Sequence, residues 1–248
     1  MGAPKIEEIA AHLAEWDFLE KLPAEINGFK KVAGTGVSGQ ILNIAAYVNE
    51  KDHRRLDLTY TSETFDYVPV KTIGLHSFRD ERYFCRDQQQ FGENILKHLE
   101  EILADISIDK KMSFSYAANG VNFQKWDYWR QLPKRIGDFE LCITPDNPLN
   151  YINGSCIFLD YSDFKHNSSL YFLFNSFRIE VFGEMIQRNM PVTINTYTVP
   201  QEDEAGNRSL DVDGKVVAKD MMPLFTELLK ANLEKDLARL ARAEFVTL

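Results

Sequence analysis

Two stretches of the sequence match in register: Trp16-Asp17-Phe18-Leu19-Glu20-Lys21-Leu22-Pro23 and Trp126-Asp127-Tyr128-Trp129-Arg130-Gln131-Leu132-Pro133. The match continues at the same offset of 110 residues, with Ile26 and Phe29 returning as Ile136 and Phe139. Two of the three tryptophans of the chain therefore fall into register. A match of this length at a fixed offset indicates an internal duplication.

A second match aligns residues 47–61 with residues 161–175, at an offset of 114. The larger offset indicates a four-residue insertion in the second copy, around the turn-prone residues 145–148. The first copy of this stretch alternates apolar and polar side chains, as a half-buried strand does. Its apolar residues are Leu56, Leu58 and Tyr60, and its polar residues are Arg55, Asp57 and Thr59.

The periodicity of each half predicts one helix, four antiparallel strands and a second helix. The first helix should run from Ile6 to Leu22 and stop at Pro23, and Asp87 should cap a helix that begins at Gln88. The sequence thus predicts an α+β fold in which helices cover one face of an antiparallel meander, with the two copies in a pseudo-twofold arrangement. We expect residues 1–110 to form the first repeat and residues 111–248 the second, with an acidic hairpin insertion at residues 201–220.

Composition excludes several classes of partner. The formal net charge of −9 argues against nucleic acid, because affinity for phosphate backbones comes largely from lysine and arginine. The chain has neither an apolar signal core at its N-terminus nor a run of about twenty apolar residues, so we predict a cytoplasmic protein without membrane contact. Three widely spaced cysteines favour reduced, mostly buried thiols.

Two motifs resemble ligand loops. Residues 34–39 match the dinucleotide pattern G-x-G-x-x-G, but the preceding segment is too polar for a buried parallel strand, which favours a glycine-rich connector. Residues 209–220 match part of a calcium loop but lack its first and last acidic ligands. The histidines show no metal-ligand spacing. We therefore predict no cofactor and no metal.

The densest polar cluster spans residues 76–87. Three arginines within it could form an anion-binding patch: Arg79, Arg82 and Arg86. His76 could lower the pKa of the Cys85 thiol and make it a nucleophile, although no third, orienting group is evident.

The second copy has Tyr171 and Leu173 where the first has Asp57 and Thr59, so both faces of its strand are apolar. We expect the additional apolar face to be covered by the insertion, a second subunit or a partner. In the next strand, Arg178 and Glu180 lie on the face opposite the apolar stripe, where they could form a solvated face or the polar lining of a binding surface. Our leading hypothesis is a non-catalytic binding protein for a protein partner or small ligand.

Two alternatives remain open. One is a hydrolase or transferase of small acidic metabolites, with His76 and Glu180 as acid and base and with Arg79 and Arg82 holding the substrate. The other is a structural subunit that self-associates, most simply as a homodimer, through its apolar face.

Overall fold

A computed structural model describes residues 5–107, 125–150, 155–175, 177–178, 180–200 and 220–245. The chain divides into two compact units, Met1–Lys110 and Lys111–Leu248. The acidic insertion predicted at residues 201–220 lies outside the described residues, except for Asp220. The junction around residues 109–111 also lies outside them.

The described part of the first unit contains an antiparallel sheet of six strands and three α-helices. Its strands are β1 (Glu25–Ile26), β2 (Phe29–Ser38), β3 (Ile41–Asn49), β4 (Arg54–Thr61), β5 (Asp66–Ile73) and β6 (His76–Arg79). Its helices are α1 (Ile6–His12), α2 (Phe18–Lys21) and α3 (Gln88–Ala104), with 3₁₀ turns at Leu13–Glu15 and Glu81–Tyr83. Each strand pairs with the next one in sequence.

The described part of the second unit contains eight strands and one α-helix. These are β7 (Arg135–Ile136), β8 (Phe139–Ile143), β9 (Leu149–Asn150), β10 (Ser155–Asp163), β11 (Ser168–Asn175), β12 (Glu180–Gln187), β13 (Met190–Thr193), β14 (Val199–Pro200) and α4 (Met222–Ala241), with a 3₁₀ turn at Tyr128–Gln131. The sheet order is β13-β12-β11-β10-β8-β7, with β9 beside β10 and β14 beside β12.

The chain is therefore α+β and its sheets are antiparallel, as the sequence predicts. The prediction of four strands in each half is wrong, since the described residues form six and eight. The additional strands include the two-residue pieces β1 and β7, which are too short to show a periodicity.

Residues 34–39 are the clearest correction, because they do not form a connector. Gly34 and Gly36 lie inside β2, and Gly39 lies in the turn to β3. The register between β2 and β3 shifts between Ala33 and Gly36, which marks a β-bulge. A Cβ atom on Gly34 would lie 2.1 Å from the carbonyl oxygen of Asn43. The glycines thus allow the β-bulge to form. Because a strand and not a helix follows them, this segment is not the strand-to-helix turn of a dinucleotide-binding loop.

The helix predicted over residues 6–22 is interrupted at Trp16, whose backbone is extended. The indole of Trp16 stacks on the ring of Phe18 at a centroid distance of 4.4 Å. Trp16 also approaches Gly92 of α3, where a Cβ atom would lie 2.9 Å from the indole. Packing of the tryptophan therefore takes precedence over helix continuity. By contrast, the predicted cap is confirmed, since Asp87 Oδ1 accepts a hydrogen bond from the Gln90 amide at 2.8 Å.

A tyrosine hydroxyl ties an early loop to a strand in each unit. Tyr47 on β3 donates to the carbonyl oxygen of Pro23 at 2.7 Å. Tyr161 on β10 donates to the carbonyl oxygen of Pro133 at 2.6 Å. Both pairs of residues correspond at the offsets found in the sequence. The two units therefore use the same hydrogen bond at the same place.

The aromatic core of the second unit centres on Phe225 of α4. Its ring lies 5.5 Å from Phe158, 5.2 Å from Phe172 and 5.5 Å from Trp126. Nε1 of Trp126 donates to Oγ1 of Thr226 at 2.8 Å. In this unit too, the repeated tryptophan packs against the long helix that follows the sheet. None of the described helices is long and apolar enough to cross a membrane.

Candidate functional site

The segment after β6 runs beside β5 and is attached to it at two points. At one end, the Asp80 amide donates to the carbonyl oxygen of Pro69 at 2.8 Å. At the other end, Tyr67 and Cys85 exchange two backbone hydrogen bonds of 2.7 and 2.9 Å. Six residues, 80–85, thus run alongside only three residues of β5, 67–69. The excess chain bulges outward as the 3₁₀ turn Glu81–Tyr83.

A cleft of about 310 Å³ lies beside this bulge. Its walls are Asp66 and Val68 of β5, Arg79 at the end of β6, and Glu81 and Phe84 of the bulge. Small-molecule sites range from about 300 to 1,000 Å³, so the cleft suits a small ligand or one peptide side chain. Val68 is buried and forms an apolar surface, while Phe84 is 46% exposed. We name this feature the Arg79 cleft.

The three arginines of the predicted patch differ in their partners. Arg82 contacts Asp80 and Asp105, and Arg86 lies 3.3 Å from Asp66. Arg79 is exposed and has no ion pair among the described residues. The structure therefore does not bring the three guanidinium groups together as one open patch. Arg79 is the member that can receive an anion.

Arg82 belongs to a network of two cations and two anions. Nζ of Lys71 lies 2.5 Å from Asp80 Oδ2 and 3.0 Å from Asp105 Oδ2. Arg82 contacts the same two Oδ2 atoms, and its Nη2 lies 2.7 Å from Oδ2 of Asp80. Lys71 and Asp80 are buried, with 2% and 6% of their side chains exposed. The network joins β5 and the bulge to the end of α3.

Electrostatics keep this network ionised. Burial alone would raise the pKa of Asp80, but hydrogen bonds from Arg82 and Lys71 outweigh burial and lower it. The hydrogen bond to Asp80 in turn raises the pKa of Arg82, against the opposing effect of burial. Because its charges already balance, the network has a positioning role and Arg82 is not available to a substrate.

The second unit contains the same pairings without the network. Lys71 pairs with Phe78 across β5 and β6, as Met185 pairs with Val192 across β12 and β13. The Tyr67–Cys85 bridge likewise matches the pairing of Val181 with Val199. At the offset of 114, Met185 and Ile194 take the places of Lys71 and Asp80. The sheet can therefore be built with apolar residues at these positions.

The Arg79 cleft is also specific to the first unit. At the same offset, the positions of Arg79, Glu81 and Phe84 hold Thr193, Asn195 and Thr198. The backbone hydrogen bond within the bulge is nevertheless shared. The Phe84 amide donates to the Glu81 carbonyl at 3.4 Å, and the Thr198 amide to the Asn195 carbonyl at 3.3 Å. The fold thus requires neither the arginine nor the exposed phenylalanine.

The predicted pair of His76 and Cys85 is separated. His76 pairs with Ile73 and Cys85 with Tyr67, six residues apart along β5. At about 3.3 Å per residue, this places the two backbones about 20 Å apart. His76 is also only 3% exposed. The geometry therefore gives no support to a Cys-His nucleophile.

The predicted residues of the second unit lie on β11, on β12 and beside them. Arg178 Nε lies 2.9 Å from Glu180 Oε1, and the Arg178 guanidinium stacks over Phe182 at 5.1 Å. Tyr171 and Leu173 are buried, at 6% and 2% exposure. The Tyr171 hydroxyl donates to Glu184 Oε2 at 2.8 Å. Glu180 is therefore engaged by a cation, and Tyr171 and Leu173 present no exposed apolar surface.

The three cysteines, all within the described residues, form no disulfide. Burial raises the pKa of Cys156 to about 12, so this thiol stays protonated at neutral pH. Sequence reasoning found Arg79 but missed Asp66, Val68, Glu81 and Phe84. Their convergence depends on the bulge of residues 80–85, which no sequence pattern marks. The exposure of Phe84 also has no signal in a segment where Tyr83 and Cys85 are buried.

No protein-family model, curated protein or solved structure matches the chain.

Proposed function

We propose that the chain is a non-catalytic binding protein and that the Arg79 cleft binds its ligand. The observation that carries this proposal is that an exposed Phe84 lies beside the same cleft as Arg79, which is exposed and has no ion pair among the residues that the structure describes. Neither residue is needed by the fold, since threonine stands at both corresponding positions of the second unit. Aromatic residues, phenylalanine included, and arginine are enriched in protein interfaces relative to the rest of the surface.

The lining of the cleft defines the class of ligand. Val68 and Phe84 provide apolar contacts, and the Arg79 guanidinium can bind a carboxylate with two parallel hydrogen bonds. The carboxylate of Asp66 is partly neutralised by Arg86. The favoured ligand is a small molecule or peptide segment with an apolar or aromatic body next to a carboxylate. Glu81 adds a second carboxylate at the rim of the cleft, to which an amino group of the ligand could bind.

Enzymatic activity has weaker support. The hydrolase hypothesis needs His76 and Glu180 as acid and base and Arg82 as a substrate ligand. His76 is buried, Glu180 is paired with Arg178, and Arg82 is held by two carboxylates. A binding role at the Arg79 cleft does not require any of these three side chains to contact a ligand.

Chemical-shift mapping tests the proposal. The ¹⁵N-labelled full chain is titrated with phenylacetate, which joins an aromatic ring to a carboxylate, and separately with phenethylamine, its cationic counterpart. We expect phenylacetate to shift the amides of residues 66–68, 79 and 81–84 more strongly than phenethylamine does. Shifts confined to other regions, or a preference for phenethylamine in the cleft, would overturn the proposal.

We also infer that the two units are copies of one helix, antiparallel meander and helix unit. The support is the shared tyrosine-to-proline hydrogen bond together with the equal pairings of β5–β6 and β12–β13. In this view both copies have kept the sheet, and the charged cleft distinguishes the first from the second. Divergence after duplication explains why a polar network in one unit corresponds to the apolar residues Met185 and Ile194 in the other.

A further inference from the structure

Three potential metal ligands converge in the second unit, whereas the Arg79 cleft belongs to the first. Asp138 lies in the turn from β7 to β8, Asp163 ends β10, and His166 lies in the turn from β10 to β11. One ligand atom of each residue lies within 4.8 Å of the other two. Nδ1 of His166 lies 2.7 Å from Oδ2 of Asp163.

The two carboxylates are placed differently. Asp163 is 1% exposed, and its Oδ1 accepts hydrogen bonds from the amides of Lys165 and His166 at 3.0 and 3.1 Å. These bonds fix the carboxylate and direct Oδ2 toward the imidazole. Asp138 is exposed and has no hydrogen bond or ion pair among the described residues. The His166 side chain is 40% exposed, so an ion can reach the group from solvent.

The corresponding turn of the first unit closes without these ligands. Asn49 ends β3 as Asp163 ends β10, and Asp52 takes the place of His166. Nδ2 of Asn49 donates to Asp52 Oδ2 at 2.8 Å, and the Asp52 amide donates to Asn49 Oδ1 at 3.2 Å. Residues 53 and 167 have φ angles of 50° and 47°, so the two turns share their backbone form.

The position of Asp138 is also occupied differently in the first unit. Gly28 takes its place in the turn from β1 to β2, at the offset of 110. A Cβ atom on Gly28 would lie 3.8 Å from Nδ2 of Asn49. These two positions are therefore neighbours in the first unit, as 138 and 163 are in the second. The backbone needs none of the three ligands, yet all three occur together.

We propose that Asp138, Asp163 and His166 bind a divalent first-row transition-metal ion, represented by zinc. Carboxylate oxygen and imidazole nitrogen are ligands that zinc accepts. Ligand atoms about 2.0–2.1 Å from a tetrahedral ion lie roughly 3.3 Å apart, so side-chain rotations bring the group into place. The ion takes the position between Nδ1 of His166 and Oδ2 of Asp163, and the imidazole binds it deprotonated. Water completes the coordination.

Calorimetric titration of the full chain with zinc chloride at pH 7 tests this proposal. We expect one zinc ion per chain. His166→Asn should weaken its affinity by about 100-fold or more, because even outer-sphere partners of a metal account for about 10- to 100-fold. Asp138→Asn should weaken it by at least about 10-fold, because an amide oxygen is a weaker ligand than a carboxylate and even outer-sphere partners account for about 10-fold or more. The matched control is His53→Asn, which removes a histidine from the corresponding turn of the first unit and should leave the affinity unchanged.

Two further measurements keep the test decisive. Thermal unfolding of the metal-free variants checks that each one folds. Cobalt(II) added in place of zinc should give visible absorption bands of a low-symmetry site in the wild type and the His53→Asn variant, but not in His166→Asn. The proposal is overturned if folded His166→Asn and Asp138→Asn bind zinc as tightly as the wild type, or if the wild type binds none.

Discussion

Nζ of Lys71 lies 2.5 Å from Oδ2 of Asp80, and both side chains are buried. The second unit has methionine and isoleucine at the two corresponding positions, Met185 and Ile194. Buried ion pairs often contribute no more stability than apolar residues of similar size. The charged pair is therefore not required by the sheet. We infer that Lys71 and Asp80, together with Asp105, tie the bulge of residues 80–85 to the end of α3. This bulge forms one wall of the Arg79 cleft.

The apolar pair of the second unit provides a double-mutant test. Lys71→Met or Asp80→Ile alone leaves a buried charge with fewer partners and should lower the free energy of unfolding by about 1–3 kcal/mol. The cost stays below that of an uncompensated buried charge because Asp80 keeps Arg82 and Lys71 keeps Asp105. The double variant should cost clearly less than the two single costs combined. Urea unfolding measures all three, and Lys230→Ala, at an exposed ion pair, should stay within about 0.5 kcal/mol. Additive costs would show that Lys71 and Asp80 act independently.

Acid should weaken the first unit through Asp80. Its pKa is lowered in the folded state, so the unfolded chain takes up the proton more readily. The stability that Asp80 contributes is thus present above the unfolded pKa of about 3.9 and is lost as the pH falls through the folded value. The difference in unfolding free energy between wild type and Asp80→Asn should be constant from about pH 5 to 7 and shrink below about pH 4. A difference that grows on acidification would contradict this assignment.

Gly34 should be irreplaceable because of its contact with β3. Gly34→Ala would place Cβ 2.1 Å from the Asn43 carbonyl oxygen and should cost at least about 3 kcal/mol. Gly39 has a φ of 59° and open space around its Cβ position. Gly39→Asn should cost less than about 1 kcal/mol, since asparagine tolerates this backbone region. Chemical denaturation compares them, and equal effects would disprove the bulge explanation.

The shared tyrosine hydrogen bond should have a similar energy in both units. Tyr47→Phe and Tyr161→Phe each remove a hydroxyl that donates to a proline carbonyl. Each substitution should lower the free energy of unfolding by about 0.5–1.5 kcal/mol. Burial raises the pKa of Tyr47 to about 12, so its hydroxyl remains a donor throughout the neutral range. A cost in one unit only would show that the two hydrogen bonds are not equivalent.

Sequence periodicity predicted those features that depend on local pattern. The antiparallel strands and the Asp87 cap follow from alternation and capping chemistry. The role of the glycines in β2 could not be predicted from local pattern, because the bulge depends on contact with the backbone of β3, the strand that follows the next turn. The break at Trp16 likewise depends on α3, more than 70 residues later in the chain.

The candidate site was only partly predictable for the same reason. Charge alone grouped Arg79, Arg82 and Arg86, but it could not show that Asp105 lies beside Arg82. The convergence of Asp138 with Asp163 and His166 also depends on two turns that are distant in sequence. Only the three-dimensional pairing of the strands brings such residues together.

The affinity of phenylacetate for the wild type and for Arg79→Thr tests the central claim most directly. This substitution gives the first unit the residue found at the corresponding position of the second. NMR titration should show a dissociation constant at least about 10-fold higher for Arg79→Thr, because a hydrogen bond to a charged group contributes about 1.5–3 kcal/mol. Arg130→Gln, at an exposed arginine of the second unit, should leave the constant unchanged. Equal constants for wild type and Arg79→Thr would contradict the proposed ligand site.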